Sequence, residues 1–263
     1  MSKVAEVEFT DYASSVNKAL DRINAPEVLP AKGLIILKPN LTNTSPPPVT
    51  TDVRMAEAVF RYIRKHTRAE IAVGEGCGSG RTEDTFAANG YAEMAEQNKI
   101  RLIDFNTEPA ECLRRDDTLE LKQFYIPKVA INAFIISVPV LKDHSFTKTT
   151  IAMKNMFGLA PEPFYSGSWN KSRLHTPNTH HSVVDICLYK KPGLSIVDAS
   201  TALSGMHLAG TPRKLNKILA GTDPVAVDAV GTRLMGHNPE KVEYLRLAQQ
   251  KGLGSMQKTD NSV

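Results

Sequence analysis

The chain has 263 residues, of which 41% are hydrophobic and 23% charged, with a formal net charge of +4. That balance is ordinary for a globular α/β protein with a real core and allows one large domain or two small ones. Aromatic residues make up only 6% and the basic residues are scattered, which argues against nucleic acid and favours a local basic pocket for a small anionic ligand.

Val4 to Phe9 reads as an edge strand. Tyr12, Val16, Ala19, Leu20 and Ile23 share one face of a helix expected over Asp11 to Ile23. Gly33 to Leu37 is a short apolar strand, followed by a proline-rich loop over Pro39 to Val49. Thr50 or Thr51 is expected to cap a helix bearing Met55, Ala56, Val59, Phe60 and Ile63. Ile71 to Val73 is the next strand and runs into the glycine-rich Gly74 to Gly80. A helix from Thr82 and another over Tyr91 to Asn98 lead to the strand Arg101 to Phe105. Residues 106–128 are charged, read as a hairpin or an excursion, and mark the one candidate subdomain break.

Ala133 to Val138 is the clearest strand, and a short helix over Thr149 to Phe157 should stop at Gly158. Ala160 to Thr179 reads as a long loop, of the kind that closes over binding sites. His180 to Leu188, Pro224 to Met235 and Pro239 to Gln250 read as helices, Leu194 to Val197 and Lys217 to Leu219 as strands. Strands alternating with helices predict an α/β fold: a mostly parallel sheet with helices on both faces, over residues 1–254. A polar tail follows over 255–263.

Cys77, Cys112 and Cys187 lie far apart, so no iron–sulfur cluster is encoded in this chain. The odd cysteine count and the absence of a leader-like N-terminus suggest a cytoplasmic protein. No apolar run approaches the roughly 20 residues of a membrane span.

The densest chemistry follows the strand Ala133 to Val138. Lys142, His144, Lys148 and Lys154 fall there among four hydroxyl residues, and strand ends of this kind are where α/β proteins bind ligands. Lys38 holds the matching place after Gly33 to Leu37, so Lys38 and Lys142 are expected at one crevice. The helix carrying Lys154 and Asn155 is too short to stand alone and must dock. The glycine-rich segment fails as a phosphate loop. Ser79 interrupts the dinucleotide spacing, no Gly-Lys-Ser/Thr follows, and Glu83 and Asp84 occupy the helix start. Glu75 offers a carboxylate there.

Asp223 before Pro224 reads as a helix cap. Asp228, set among Val225, Ala226, Val227, Ala229 and Val230, needs a partner, with Arg213 or Lys214 as the structural alternative to a functional role. His144, His175, His180 and His181, with Asp185 or Asp198, admit a divalent metal or a proton-transfer role. The metal question stays open. No nucleophile elbow is present.

Five phrases carry a resemblance. They are Leu37 to Leu41, Val138 to His144, Met153 to Gly158, Gly210 to Leu215 and Leu219 to Asp228. Together they resemble domain-of-unknown-function family 362, a prokaryotic group, over about Gly33 to Gly254. The resemblance implies recurrent polar positions at Lys38, Asn40, Lys142, His144, Lys154, Asn155, His175, Asp185, Asp198, Arg213, Lys214, Asp223 and Asp228. It also implies an iron–sulfur protein as a partner, because relatives often carry such modules.

The function expected is an enzyme acting on a small carboxylate or phosphate by redox or isomerase-type chemistry. Lys38, Asn40, Lys142, Lys154, Asn155 and Arg213 would bind substrate. His144, His175, Asp198 and Asp228 would be catalytic. The alternative is a non-catalytic binding or electron-transfer accessory working with an iron–sulfur partner. Neither nucleic acid nor membrane is expected as a partner.

Overall fold

The computed structural model describes residues 4–257, so residues 258–263 of the expected tail lie outside the described residues. The chain opens with β1 (Val4–Glu8), α1 (Tyr12–Arg22), β2 (Leu34–Pro39), α2 (Val53–His66) and β3 (Glu70–Glu75). Then come α3 (Thr82–Ala88), α4 (Tyr91–Asn98), β4 (Arg101–Asp104), and the hairpin β5 (Ala110–Arg114) with β6 (Gln123–Pro127). Next are α5 (Lys128–Ile131), β7 (Phe134–Val138), β8 (Val140–His144), β9 (Lys148–Thr150), α6 (Ala152–Asn155) and α7 (Glu162–Tyr165). The chain closes with α8 (Thr179–Tyr189), β10 (Leu194–Ser204), β11 (Thr211–Gly221), α9 (Pro224–Leu234) and α10 (Glu243–Gln250).

Nine strands form one mixed sheet with the order β1-β11-β10-β7-β2-β3-β4, and β8 and β9 branch from β10. The centre from β10 to β4 is parallel, while β11 and β1 add antiparallel pairs at one edge. Alternation along β2 divides the core. Ile35 and Leu37 pack with α1 and α2 residues such as Val16, Leu20, Val59 and Ile63. Ile36 points the other way, to Met153, Val183, Ile186, Tyr244 and Leu245. Helices therefore cover both sides of the sheet, as a mostly parallel sheet requires. Residues 106–128 contain the β5–β6 hairpin, and its Phe124 and Ile126 join the same core as Ile36 and Ala72.

Three expectations change. Helix α2 is capped by Asp52, which accepts from Arg54 N at 2.9 Å. Thr51 is otherwise engaged: its hydroxyl accepts from Asn40 N and donates to Val138 O, tying β2 to β7. The segment expected as one helix over Thr149 to Phe157 divides into the end of β9, α6 and a 3₁₀ turn over Met156–Leu159. Its start is held extended by cross-strand pairing with β8. Ala160 to Thr179 contains α7 and a 3₁₀ turn over Ser172–His175.

Candidate active site

At the carboxyl ends of β2 and β3 lies a cavity of about 500 Å³. Lys38 and Glu75 end these adjacent strands and form a fully buried ion pair. Lys38 Nζ donates to Glu75 Oε1 at 2.8 Å and Oε2 at 2.9 Å. Asn155 Oδ1 and Pro39 O complete the ammonium's surroundings. Glu75 also accepts from the backbone N–H of Leu41 and Gly76. Burial lowers the Lys38 pKa, against the opposing pull of Glu75. Gly158 is required beside this pair, since a Cβ there would collide with Glu75 and Lys38.

Lys142 and His144 share one face of β8 by strand alternation. Lys142 Nζ donates to Asn40 Oδ1 at 2.7 Å and Val49 O at 2.8 Å, and no carboxylate contacts it among the described residues. Burial pushes its pKa down to about 7, with Glu75 opposing. Lys154 has less support still. Its Nζ sits 3.5 Å from the centroid of the Phe157 ring and meets no hydrogen-bond acceptor among the described residues. Burial, then the neighbouring lysines 142, 171 and 38, pushes its pKa down to about 7. Lys171 donates to Gly76 O at 2.6 Å, and burial brings it to about 8.

His144 is a hydrogen-bond donor by construction. Its Nδ1 accepts from Phe146 N at 3.1 Å and Thr147 N at 3.4 Å, which places the proton of the neutral ring on Nε2. Burial and then Lys154 hold its pKa far below the usual histidine range. The His207 ring stacks on it at 4.2 Å, and His175 lies parallel at 6.4 Å. Burial lowers His175 to about 3 and His207 to about 4. Trp169, Leu208 and the glycine-rich Gly76, Gly78 and Ser79 complete much of the rim.

Lys38, Asn40, Lys142, His144, Lys154, Asn155 and His175 thus line one hollow, drawn from widely separated parts of the chain. Asn155 is a bracket: its Nδ2 donates to Lys38 O and Ser137 Oγ while its Oδ1 accepts from Lys38 and Asn40. The other expected residues lie elsewhere. Asp198 accepts from Tyr12 and Ser200 beside a separate cavity of about 780 Å³. Asp228 is buried behind the site, where it accepts from Ala152 N, Met153 N and Tyr244 Oη rather than pairing with Arg213 or Lys214. Arg213 is exposed on β11.

The expected histidine set also disperses. His180 and His181 approach Glu243 and Glu120, and Asp185 accepts from the backbone N–H of Leu119, Glu120 and Leu121. Among the described residues, no group of three or more His, Cys, Asp or Glu side chains could hold a metal ion. Lys171, His207 and Thr150 were not among the expected binding residues. Lys171 lies two residues after Trp169 in a segment that reads as loop, and His207 sits in the β10–β11 turn without a motif.

Residues 35–233 match the family described as a domain of unknown function (DUF362). The chain belongs to this family. A thylakoid-associated protein of Synechocystis sp. is 24% identical over 225 residues, which cover 83% of the DUF362 chain and 68% of that protein. Among solved structures, the lactate racemase apoprotein from Thermoanaerobacterium thermosaccharolyticum matches with a TM-score of 0.56 and 14% identity over 86% of the DUF362 chain. A Thermotoga maritima protein matches with a TM-score of 0.48 and 12% identity, covering 94% of this chain and 60% of that one. The DUF362 chain spans 55% of the length of the lactate racemase, and at this identity the likeness is one of fold. No helix among the described residues is long and apolar enough to cross a membrane.

Proposed function

We propose that the chain is an enzyme that binds a small carboxylate in the lysine-lined cavity and moves a proton on it, as an isomerase-type reaction requires. The observation that carries this reading is the pair Lys142 and Lys154: buried ammonium groups with no carboxylate in contact, both brought to about 7. An unpaired buried cation needs a counter-charge, and an anionic ligand supplies it. A lysine poised near neutrality can also give or take a proton at working pH. His144, neutral and protonated at Nε2, then serves as a hydrogen-bond donor to a developing oxyanion rather than as a base. Lys38, neutralised by Glu75, acts as scaffold. The fold likeness to lactate racemase, named for a racemisation of a small carboxylate, is consistent with this chemistry.

Calorimetric titration with a panel of small mono- and dicarboxylates tests the reading. Saturable binding that is lost in Lys154→Met is expected. Absence of binding by every acid in the panel would overturn it.

A second reading has one specific support. Phe146, Trp169 and Met206 are each more than half exposed, and all belong to segments at the mouth of the cavity. An accessory role with an iron–sulfur partner docking on this rim would use them. Co-purification of a ferredoxin that is lost in Trp169→Glu, with no carboxylate binding, would favour it.

A further inference from the structure

Among the described residues, buried side-chain atoms without a hydrogen-bond partner are few, and two of them are carried by residues that line this cavity: Thr150 Oγ1 and His207 Nδ1. Each costs free energy unless something satisfies it. Their placement is not independent. Thr150 stands directly across from Lys142 in the β8–β9 ladder, so both side chains emerge on the same face. His144 follows two residues along that face of β8, and the His207 ring lies on His144. Thr150 is 5% exposed, and its lost hydrogen bond has no solvent to replace it.

We infer that Thr150 and His207 form an oxygen-recognising subsite beside the lysines, so that the ligand is a small carboxylate carrying a further hydroxyl or keto oxygen. This rests on the carboxylate reading above and deepens it. The division of labour follows from donor inventories. Lys154 donates only and takes the carboxylate. The Thr150 hydroxyl both donates and accepts, and His207 Nδ1 does one or the other according to tautomer, so together they suit an oxygen substituent in either form. A site built around polar atoms discriminates against the ligand that lacks their partner, because that complex leaves them buried and unpaired.

The test is the dissociation constants of two matched series, propionate with lactate and pyruvate, and succinate with malate. In the unaltered protein the oxygen-bearing acid of the pair that binds should be at least about tenfold tighter than its deoxy partner. Thr150→Val, which keeps the shape and removes the hydroxyl, should collapse that ratio to about threefold or less while the deoxy acid's own constant stays within about threefold. Thr150→Ser should restore the ratio, which a loss of folding would not allow, and His207→Phe should lower it. Equal binding of deoxy and oxygenated acids, or an undiminished ratio in both Thr150→Val and His207→Phe, would overturn this inference while leaving the carboxylate reading standing. No binding by any of the five would overturn both.

Discussion

Lys38 and Glu75 end neighbouring parallel strands and meet as a buried pair, the ammonium reaching both carboxylate oxygens at 2.8 and 2.9 Å. Removing one partner leaves a buried charge uncompensated. Glu75→Gln or Lys38→Met should each cost about 3–5 kcal/mol. The double variant Lys38→Met/Glu75→Leu should cost less than the two single losses added. Urea unfolding of the four proteins checks this, and single losses below about 1 kcal/mol would contradict the role given to the pair.

Ligand binding should take up protons. Lys142 and Lys154 stand at about 7 without a ligand, and a bound carboxylate supplies the counter-charge that raises them. At pH 8 the complex should therefore absorb protons from buffer, and affinity should fall as pH rises through this range. Calorimetry in buffers of differing ionisation enthalpy measures the uptake, which Lys142→Met and Lys154→Met should each reduce. For the free protein the sign is set by the unfolded chain, where lysine titrates near 10.5. Between about 7 and 10.5 the unfolded state holds more protons, so the contribution of these lysines to stability rises with pH in that window.

His144 should remain neutral, with its proton on Nε2, throughout the range where ordinary histidines charge. Nitrogen-15 spectra of the imidazoles between pH 8 and pH 5 would show it. A His144 titration midpoint between 6 and 7 would exclude the donor-only role. The neighbouring rings predict acid sensitivity as well. His175 at about 3 and His207 at about 4 lie below the ordinary histidine value of 6.5, so the unfolded chain gains protons first as pH falls below about 6.5 and the fold loses stability.

Asp228 holds the start of α6, the four-residue helix that presents Lys154 and Asn155. Asp228→Asn keeps an acceptor for Ala152 and leaves Met153 N unsatisfied. A loss of about 1–3 kcal/mol is expected. Carboxylate affinity should fall alongside it, because Lys154 is displaced. An unchanged dissociation constant in a destabilised but folded variant would confine Asp228 to stability alone. Burial raises Asp228 to about 7, so between 3.8 and about 7 the folded state holds the extra proton and this group's contribution declines as pH rises.

Trp169 is the sole tryptophan of the chain and lies on the cavity wall, half-exposed. Intrinsic fluorescence therefore reports on the mouth directly. Ligand binding should shift its emission to shorter wavelength as the segment over 160–179 settles on the ligand. A spectrum that does not move at saturation would show that this segment does not close.

Much of the site was legible because strand ends announce themselves. Lys38 and Lys142 follow apolar runs, and parallel topology brings such ends to one edge. The branch strands β8 and β9 were less legible, since Thr147, Thr149 and Thr150 among polar neighbours resemble a loop leading to a helix. Their pairing depends on β10, some 55 residues later, which local pattern does not contain. The apolar run around Asp228 predicts a partner for it, yet Ala152 and Met153 offer only backbone N–H groups and Tyr244 Oη lies 16 residues on, so local side-chain spacing leaves no trace of them. Lys171 and His207 lie in turns, where placement is decided by the rest of the fold.

Strand β8 alternates two chemistries. Lys142 and His144 face the hollow, while Asp143 turns away to His237 at 2.8 Å and to Gly205 N. Parity along this one strand therefore sets which charge it presents to the hollow. Deleting a single residue at Pro139 would turn the strand over and exchange an ammonium for a carboxylate at the wall, leaving Lys154 and Lys171 to carry the remaining free positive charge.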